Sequence, residues 1–361
     1  MTRRFGGRRL GDLLLGLGLL VLSGLVSGGA LAATGGDDCD RLVRPGESLQ
    51  DAIDGLPDNG APQTVCLAAG DFRLSDMVTL ERDHVTLRGQ GAQATRLSLA
   101  EGVVSPVLVL GEARRQVPGK PIHDVTVSDL AIRGSGAGGP EFREDLPYLS
   151  NSALIVRRGD GVTLRRLDIR DCRSACLLTE YHSRDVTIED NHLAGAQWDG
   201  LSLNRAGATR VVGNTIEHNV AAGITVEYLR DGEVIDNRLL DNGSHGIYLA
   251  DAEHNVFRDN LFRGNRQAGV FLTCSIRHRN PVECWEDSFS RDNVFRNNRF
   301  VDNGHGFQVS LDDAANCRGF DTPPNLSQGD TFHNSPNDEP SWERYGHCIR
   351  YDGSRDAPPD G

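Results

Sequence analysis

VVGNTIEHNVAAGITVEYL (211–229) lies in register over VIDNRLLDNGSHGIYLADA (234–252). Each stretch carries two asparagines five residues apart, Asn214/Asn219 and Asn237/Asn242, then a small Gly-Ile-x-apolar run. The leading asparagines fall at Asn191, Asn214, Asn237 and Asn260, 23 residues apart, and Asn298 follows after 38, one repeat plus 15 residues. Glycines keep step at Gly200, Gly223, Gly246, Gly269 and Gly306. Upstream, VTVSDLAI (125–132) and VTLRRLDI (162–169) continue the pattern without the Asn, and VTLRGQG (85–91) is a shorter copy. A period of 20–50 residues marks a repeat architecture. Within each copy, runs such as VVGNTI and GITVEY alternate apolar and polar residues between Asn, Asp and Gly breakers, which is the pattern of short strands and turns. Short strands stacked about 4.8 Å apart build a parallel β-solenoid. An inward Asn then hydrogen-bonds to the copies above and below it, so these asparagines are expected to be structural.

Composition agrees with a coil built from turns: 42 Gly and 6% aromatic residues in 361. Each rung buries its inner face only against its neighbours, and both ends need caps. RPGESLQDAIDGLP (44–57) offers one, with Ser48 ahead of an amphipathic run Leu49, Ala52, Ile53. The expected order is a signal segment (1–32), an N-terminal cap (33–63), an all-β parallel solenoid (64–315), and a C-terminal cap with a polar tail (316–361). The signal reading rests on four arginines, the apolar run Leu13–Val26 and Ala30-Leu31-Ala32, and predicts export to the periplasm or beyond. Eight cysteines, all beyond residue 32, suit an oxidising compartment. Neighbour order pairs Cys39 with Cys66, Cys172 with Cys176, Cys274 with Cys284, and Cys317 with Cys348. No CxxC pair argues for a metal site instead.

The segments 44–57, 64–91 (TVCLAAGDFRLSDMVTLERDHVTLRGQG) and the 23-residue Asn/Gly rungs together resemble right-handed parallel β-helix proteins over about residues 42–315. That superfamily holds pectate-lyase-like enzymes, mannuronan C5-epimerases and NosD-type periplasmic accessory proteins. The resemblance implies a right-handed parallel β-helix; function must come from the site. The Asp-Pro-His motif of the epimerases is absent: the corresponding positions read LSLN, ITVE, IYLA, VFLT and FQVS.

Chemistry is therefore sought on the outer face. Alternation points Ile and Val inward and leaves three outward columns. Before the Gly stand Asp199, Ala222, His245, Ala268 and His305; then Ser202, Thr225, Tyr248, Phe271 and Gln308; last Asn204, Glu227, Ala250, Thr273 and Ser310. Around the middle rung this gathers His245, Tyr248, Glu227, Asp199 and Arg205 as catalytic candidates, with Asn204, Tyr228 and Asp251 beside them. Abstracting the C5 proton of a uronate needs a base and a neutralised carboxylate. His245 or Tyr248 supplies the acid or base, and Arg205 pairs the carboxylate. Hydrolysis by Asp199 and Glu227 is the alternative. The 15-residue insertion CSIRHRNPVECWEDSF (274–289) carries Arg277, Arg279 and Trp285 and is expected to wall a groove.

Beyond residue 32 stand 34 basic and 50 acidic residues, a balance that disfavours nucleic acid and anionic membranes. An acidic polysaccharide has to bind through local arginines or bridging Ca²⁺, for which Asp-rich turns offer oxygen ligands. No Ca²⁺-loop motif is present and no cofactor is assigned. The leading expectation is a lyase or C5-epimerase acting on a uronate-containing polysaccharide. A non-catalytic glycan-binding or envelope module, and a periplasmic maturation factor, are the other classes. For copper handling, Met77 is the only Met beyond the signal, and no His-x-His occurs.

Overall fold

Each copy of the repeat folds into three short strands, as in Arg210–Val212, Thr215–Glu217 and Ile224–Arg230. The computed structural model describes residues 39–279, 282–285, 288–310, 317, 319–338 and 347–356; the signal segment expected at 1–32 and the last residues of the tail lie outside them. What ends the first strand is a left-handed residue just before the ladder asparagine: Asp190 (φ 54°), Gly213 (66°), Asp236 (54°), Asp259 (59°), Asn297 (54°) and Gly329 (67°). Gly, Asn and Asp take this conformation at small cost, which is why they fill the position along the ladder; one rung upstream, where there is no Asn, Arg166 (51°) holds it.

Among the described residues the strands stack into three sheets of twelve, eleven and nine members, and each strand pairs in parallel with its counterpart one copy on. Val211 faces Val234, Ile216 faces Leu239 and Ile224 faces Ile247. Their side chains point into the coil and are wholly buried. Towards the C-terminus the aliphatic stack becomes aromatic: Phe257 on Phe295 (4.8 Å between centroids), Phe262 on Phe300 (4.7 Å) and Phe300 on Phe332 (4.8 Å). The glycine column reflects contact rather than freedom. A Cβ on Gly246 would sit 2.6 Å from the Gly269 carbonyl oxygen and 2.6 Å from the Phe262 ring.

The asparagines form an inward ladder. Asn237 Nδ2 donates to Asn260 Oδ1 (3.0 Å), Val211 O (2.8 Å) and Ile235 O (3.0 Å), while its Oδ1 accepts from Asn214 N and Nδ2 (2.9 Å each). The same bonds run from Asn191 through Asn260 and Asn298 to Asp330. Asn219, Asn242, Asn265 and Asn303 make a second ladder that ends on Ser335. Asn255, Asn293 and Asn325 make a third.

At the N-terminal end the helix Leu49–Asp54 buries Leu49, Ala52 and Ile53, and Ser48 Oγ accepts from Asp51 N (3.1 Å). At the other end the sheets run on past 315, first through Asn325–Gln328 and Thr331–His333 and then, one rung further, through Ile349–Asp352. The first of these rungs is spaced 32 residues from the one before, and two of its ladder positions are Asp330 and Ser335 rather than Asn, so the repeat is hidden in the sequence. The bonds Cys39–Cys66, Cys172–Cys176, Cys274–Cys284 and Cys317–Cys348 are all formed.

Replacing Asn237 with Ala removes five buried hydrogen bonds at once and leaves Asn214 N without the acceptor it has in the ladder. At about 0.5–1.5 kcal/mol for each bond, and more for a buried N–H left unpaired, the loss should reach at least about 3 kcal/mol. Thermal denaturation of Asn237→Ala should show a clear fall in Tm; an unchanged Tm would mean that the ladder does not hold the coil.

Candidate functional site

The outer face of the nine-stranded sheet carries the columns in register. Ser202, Thr225, Tyr248, Phe271 and Gln308 are successive partners, and Asn204, Glu227, Ala250 and Thr273 form the neighbouring row. A cleft of about 410 Å³ opens over the rungs Leu177–Glu180, Leu201–Gly207 and Ile224–Arg230. Its floor includes Ser202, Asn204, Thr225 and Glu227, and one wall is the segment bearing Glu141, Phe142 and Tyr148.

Asp199, the residue before Gly200, lines this cleft yet is only 3% exposed. Its Oδ1 accepts from Ala222 N (3.1 Å), and its carboxyl also bonds the Thr225 hydroxyl, both one rung on. Burial pushes the Asp199 pKa up to about 7; the two hydrogen bonds pull it down, and the charges of Glu227 and Glu141 push it further up. Glu227 stands two residues beyond Thr225, about 7 Å along the strand, and accepts from Asn204 Nδ2 (3.0 Å). One cleft thus holds a carboxyl that is largely protonated below neutrality and a second carboxylate close enough to shift it.

Beneath the cleft lies Arg157, fully buried. Its Nε donates to Glu180 Oε1 (2.6 Å), its terminal nitrogens donate to the carbonyls of Glu112, Ala113, Arg115 and Gln116, and Tyr148 and Tyr181 flank it at 5.6 and 5.0 Å. Burial raises the pKa of Glu180 despite the pull of Arg157. At the rim, the Arg205 guanidinium sits 5.6 Å from the Tyr228 ring centroid. Tyr181 (φ 58°), just past Leu177–Glu180, and Arg205 (50°) and Tyr228 (62°), within Leu201–Gly207 and Ile224–Arg230, adopt the left-handed conformation at the same corner of successive rungs. Trp198, 53% exposed, completes the aromatic rim with Phe142, Tyr148 and Tyr181.

Other candidates lie elsewhere. His245 was expected in the open; it is 5% exposed, because its ring is stacked on Phe271 (4.6 Å, 8°). Burial lowers its pKa to about 4, so it is neutral at ordinary pH. Tyr248, 6.1 Å from His245, flanks the cleft floor at the rung after Thr225. Asp251 is buried at the corner after Ala250; burial and then Glu253 raise its pKa to about 6, against Arg230 and Arg291. His305 Nε2 lies 3.9 Å from Asp338, and Gln308 bridges to Asp338 through the backbone. The insertion forms a hairpin, Ile276–Arg279 with Val282–Cys284, in which Arg277 stacks on Trp285 (5.3 Å); the side chain of Arg279 lies outside the described residues. The hairpin leaves the rung of Gly269, three rungs or about 14 Å from that of Gly200, and none of its described residues lines the cleft. Among the described residues no three His, Cys, Asp or Glu side chains converge as a metal site.

Sequence reasoning missed Glu180, Tyr181 and the wall. Glu180 extends the row of Asn204 and Glu227 one rung upstream, where no ladder asparagine marks the repeat. The wall had left a signal: VTVSDLAI and VTLRRLDI are 37 residues apart instead of 23.

Because the folded pKa of Asp199 lies above its unfolded value, its contribution to stability is full below about pH 4 and is lost as pH rises through 7. Asp199→Asn keeps an acceptor for Ala222 N and removes the charge. It should raise Tm at pH 8 relative to the parent, with a smaller gain or none at pH 4.5. An equal shift at both values would place the Asp199 pKa in the ordinary range.

Residues 152–316 match the family described as "Right handed beta helix region". No curated relative matches by sequence. Among solved structures, the mannuronan C-5 epimerase AlgE4 A-module of Azotobacter vinelandii superposes with a TM-score of 0.55 at 18% identity, covering 85% of this chain and 89% of that one. Alginate lyase from Paenibacillus sp. str. FPU-7 gives 0.55 at 15%, covering 88% and 99%. PfbA, a surface adhesin of Streptococcus pneumoniae, gives 0.57 at 15%, covering 79% and 75%. Likeness at such identities speaks for the fold alone, and on that the strand registers and the matched family agree: the chain is a right-handed parallel β-helix protein.

Proposed function

We propose that the protein is a polysaccharide-active enzyme of an exported, oxidising compartment, which cleaves a glycosidic bond in the cleft over Asp199 and Glu227. The observation that carries this reading is a pair of carboxyl groups in one cleft, Asp199 buried and Glu227 half-buried on the floor. Burial, with the charge of Glu227 adding to it, pushes the Asp199 pKa up to about 7. A carboxyl raised in this way is suited to serve as the acid, with its neighbour as the base. Asp199 donates its proton to the leaving glycosidic oxygen, and Glu227 assists attack from the other side of the sugar, by activating water or by attacking directly. Trp198, Phe142, Tyr148 and Tyr181 offer faces on which sugar rings stack. Glu141, Glu180 and Glu227 make the cleft acidic, which favours a neutral sugar at the cleavage point over a uronate.

A second reading, a lyase or C5-epimerase acting on a uronate, is favoured by the Arg205–Tyr228 pair, which sets a cation for a substrate carboxylate beside a phenol. The likeness to a mannuronan C-5 epimerase and an alginate lyase supports the same class of substrate. The adhesin likeness supports a binding module without catalysis.

Incubation with neutral glucans, alginate and polygalacturonate separates these readings. Hydrolysis yields new reducing ends without ultraviolet-absorbing products. Unsaturated, absorbing ends would establish the lyase, and solvent deuterium at C5 with unchanged chain length the epimerase. Binding without any turnover would leave a glycan-binding module, and neither binding nor turnover would refute the proposal. For the hydrolase, Asp199→Asn and Glu227→Gln should each lower kcat/KM by about 100-fold or more, and the parent's activity should fall as pH rises past about 7.

A further inference from the structure

We infer that the cleft takes the end of a glycan chain rather than its middle; the inference rests on the proposed glycan-cleaving function. The outward column that forms the cleft floor is continuous along the coil but is not open along its length. Its upstream members Val109 and Ile155 point away from the core and are nonetheless wholly buried. With Met77, Ala113 and Leu149 they form a second apolar cluster outside the coil, against which Leu146, Tyr148 and Leu178 pack. Downstream, Ser202, Thr225, Tyr248, Phe271 and Gln308 all stay partly exposed. The column is thus roofed on one side of the cleft and open on the other.

The roof is the excursion between the strands Ala131–Arg133 and Leu154–Arg157. It is fastened at several points. Arg143 donates to Asp76 and to Ser105 Oγ (2.7 Å), and Arg173 Nε donates to Gly139 O (2.6 Å). Within the excursion, Arg143 also donates to both carboxylate oxygens of Asp145 (2.7 and 3.0 Å) and Asn151 Nδ2 to Pro140 O (2.9 Å), which stiffen it. The apolar packing beneath adds to these ties, so this segment is a wall and not a loose flap.

From the wall at Leu178 to Thr225 and Glu227 the floor spans two rungs, about 10 Å. Within that length the carboxyl pair is reached, and beyond Leu178 there is no floor left to cover. A chain entering from the Tyr248 side meets the acid and base and then stops. Cleavage there adds one water across the glycosidic bond and releases a short terminal fragment, leaving a shortened polymer that can enter again. Arg143 is on this view a positioning residue, which sets product length without touching the scissile bond.

The measurement is the viscosity of the polymer that the parent degrades, followed against new chain ends, with a linear and a cyclic oligosaccharide of the same linkage as a second substrate pair. Chain-end action predicts that ends accumulate while viscosity holds, that short fragments appear from the start, and that the linear compound is cut while the cyclic one is spared. Arg143→Ala, by loosening the wall, should raise the viscosity lost per new end by at least about tenfold. Early collapse of viscosity, or cutting of the cyclic substrate by the parent, would overturn the chain-end assignment and leave the glycan-cleaving function standing. Absence of any turnover or binding on these substrates would overturn both.

Discussion

Stacked asparagine amides are the constraint on which the rest of the molecule depends. A parallel coil is indifferent to register as far as its apolar interior goes, since Val, Ile and Leu interchange with little loss. An amide ladder is not indifferent, because each Oδ1 must meet the N–H and Nδ2 of the copy before it. A slip of one residue would strand these groups in a dry interior, each at about 1–3 kcal/mol. From Asn191 onward, one ladder and then two and three hold each rung in phase with the next. The outer columns are aligned as a consequence, and an outer face aligned over several rungs is what allows residues 23 apart in sequence to share one cleft.

That alignment also explains how an acidic side chain comes to be buried on an outer face. Asp199 leaves its strand just before the bend at Gly200 and leans along the axis, so its carboxyl is received by the backbone of Ala222 and the hydroxyl of Thr225 in the following rung. Two hydrogen bonds satisfy it without providing a counter-charge. The nearest strong charges, Glu227 and Glu141, are negative, and desolvation and repulsion therefore act in the same direction. His245 holds the equivalent position two rungs on and is covered by the ring of Phe271, and its charge is suppressed by burial as well. One cause, burial of the charged form, thus keeps the acid protonated and the base unprotonated.

Much of the fold was legible because the ladder demands one residue type at one spacing. Asn191, Asn214, Asn237 and Asn260 announce the rung length directly. The rung after that of Asn298 was illegible because Asp330 and Ser335 accept the same hydrogen bonds without being asparagine, at a spacing of 32. The site was legible in its columns and not in its depth. Sequence places Asp199, Glu227 and Asn204 on one face, but whether such a residue is open or covered depends on partners that no local pattern reveals. The covering of His245 by Phe271 is one example. The tie between Arg143 and Asp76, 67 residues apart, is another. Those long-range contacts decide where the face is a cleft and where it is closed.

The central claim is that the outer face holds a carboxyl, Asp199, kept protonated by burial beside a second carboxyl group, Glu227. The most direct measurement is an NMR titration of the Asp199 side-chain carboxyl, assigned by comparison with Asp199→Asn and followed from pH 3 to 9. The account predicts a midpoint near 7 that moves down in Glu227→Gln, where one repelling charge is removed. A midpoint near 4, unmoved by that substitution, would contradict it.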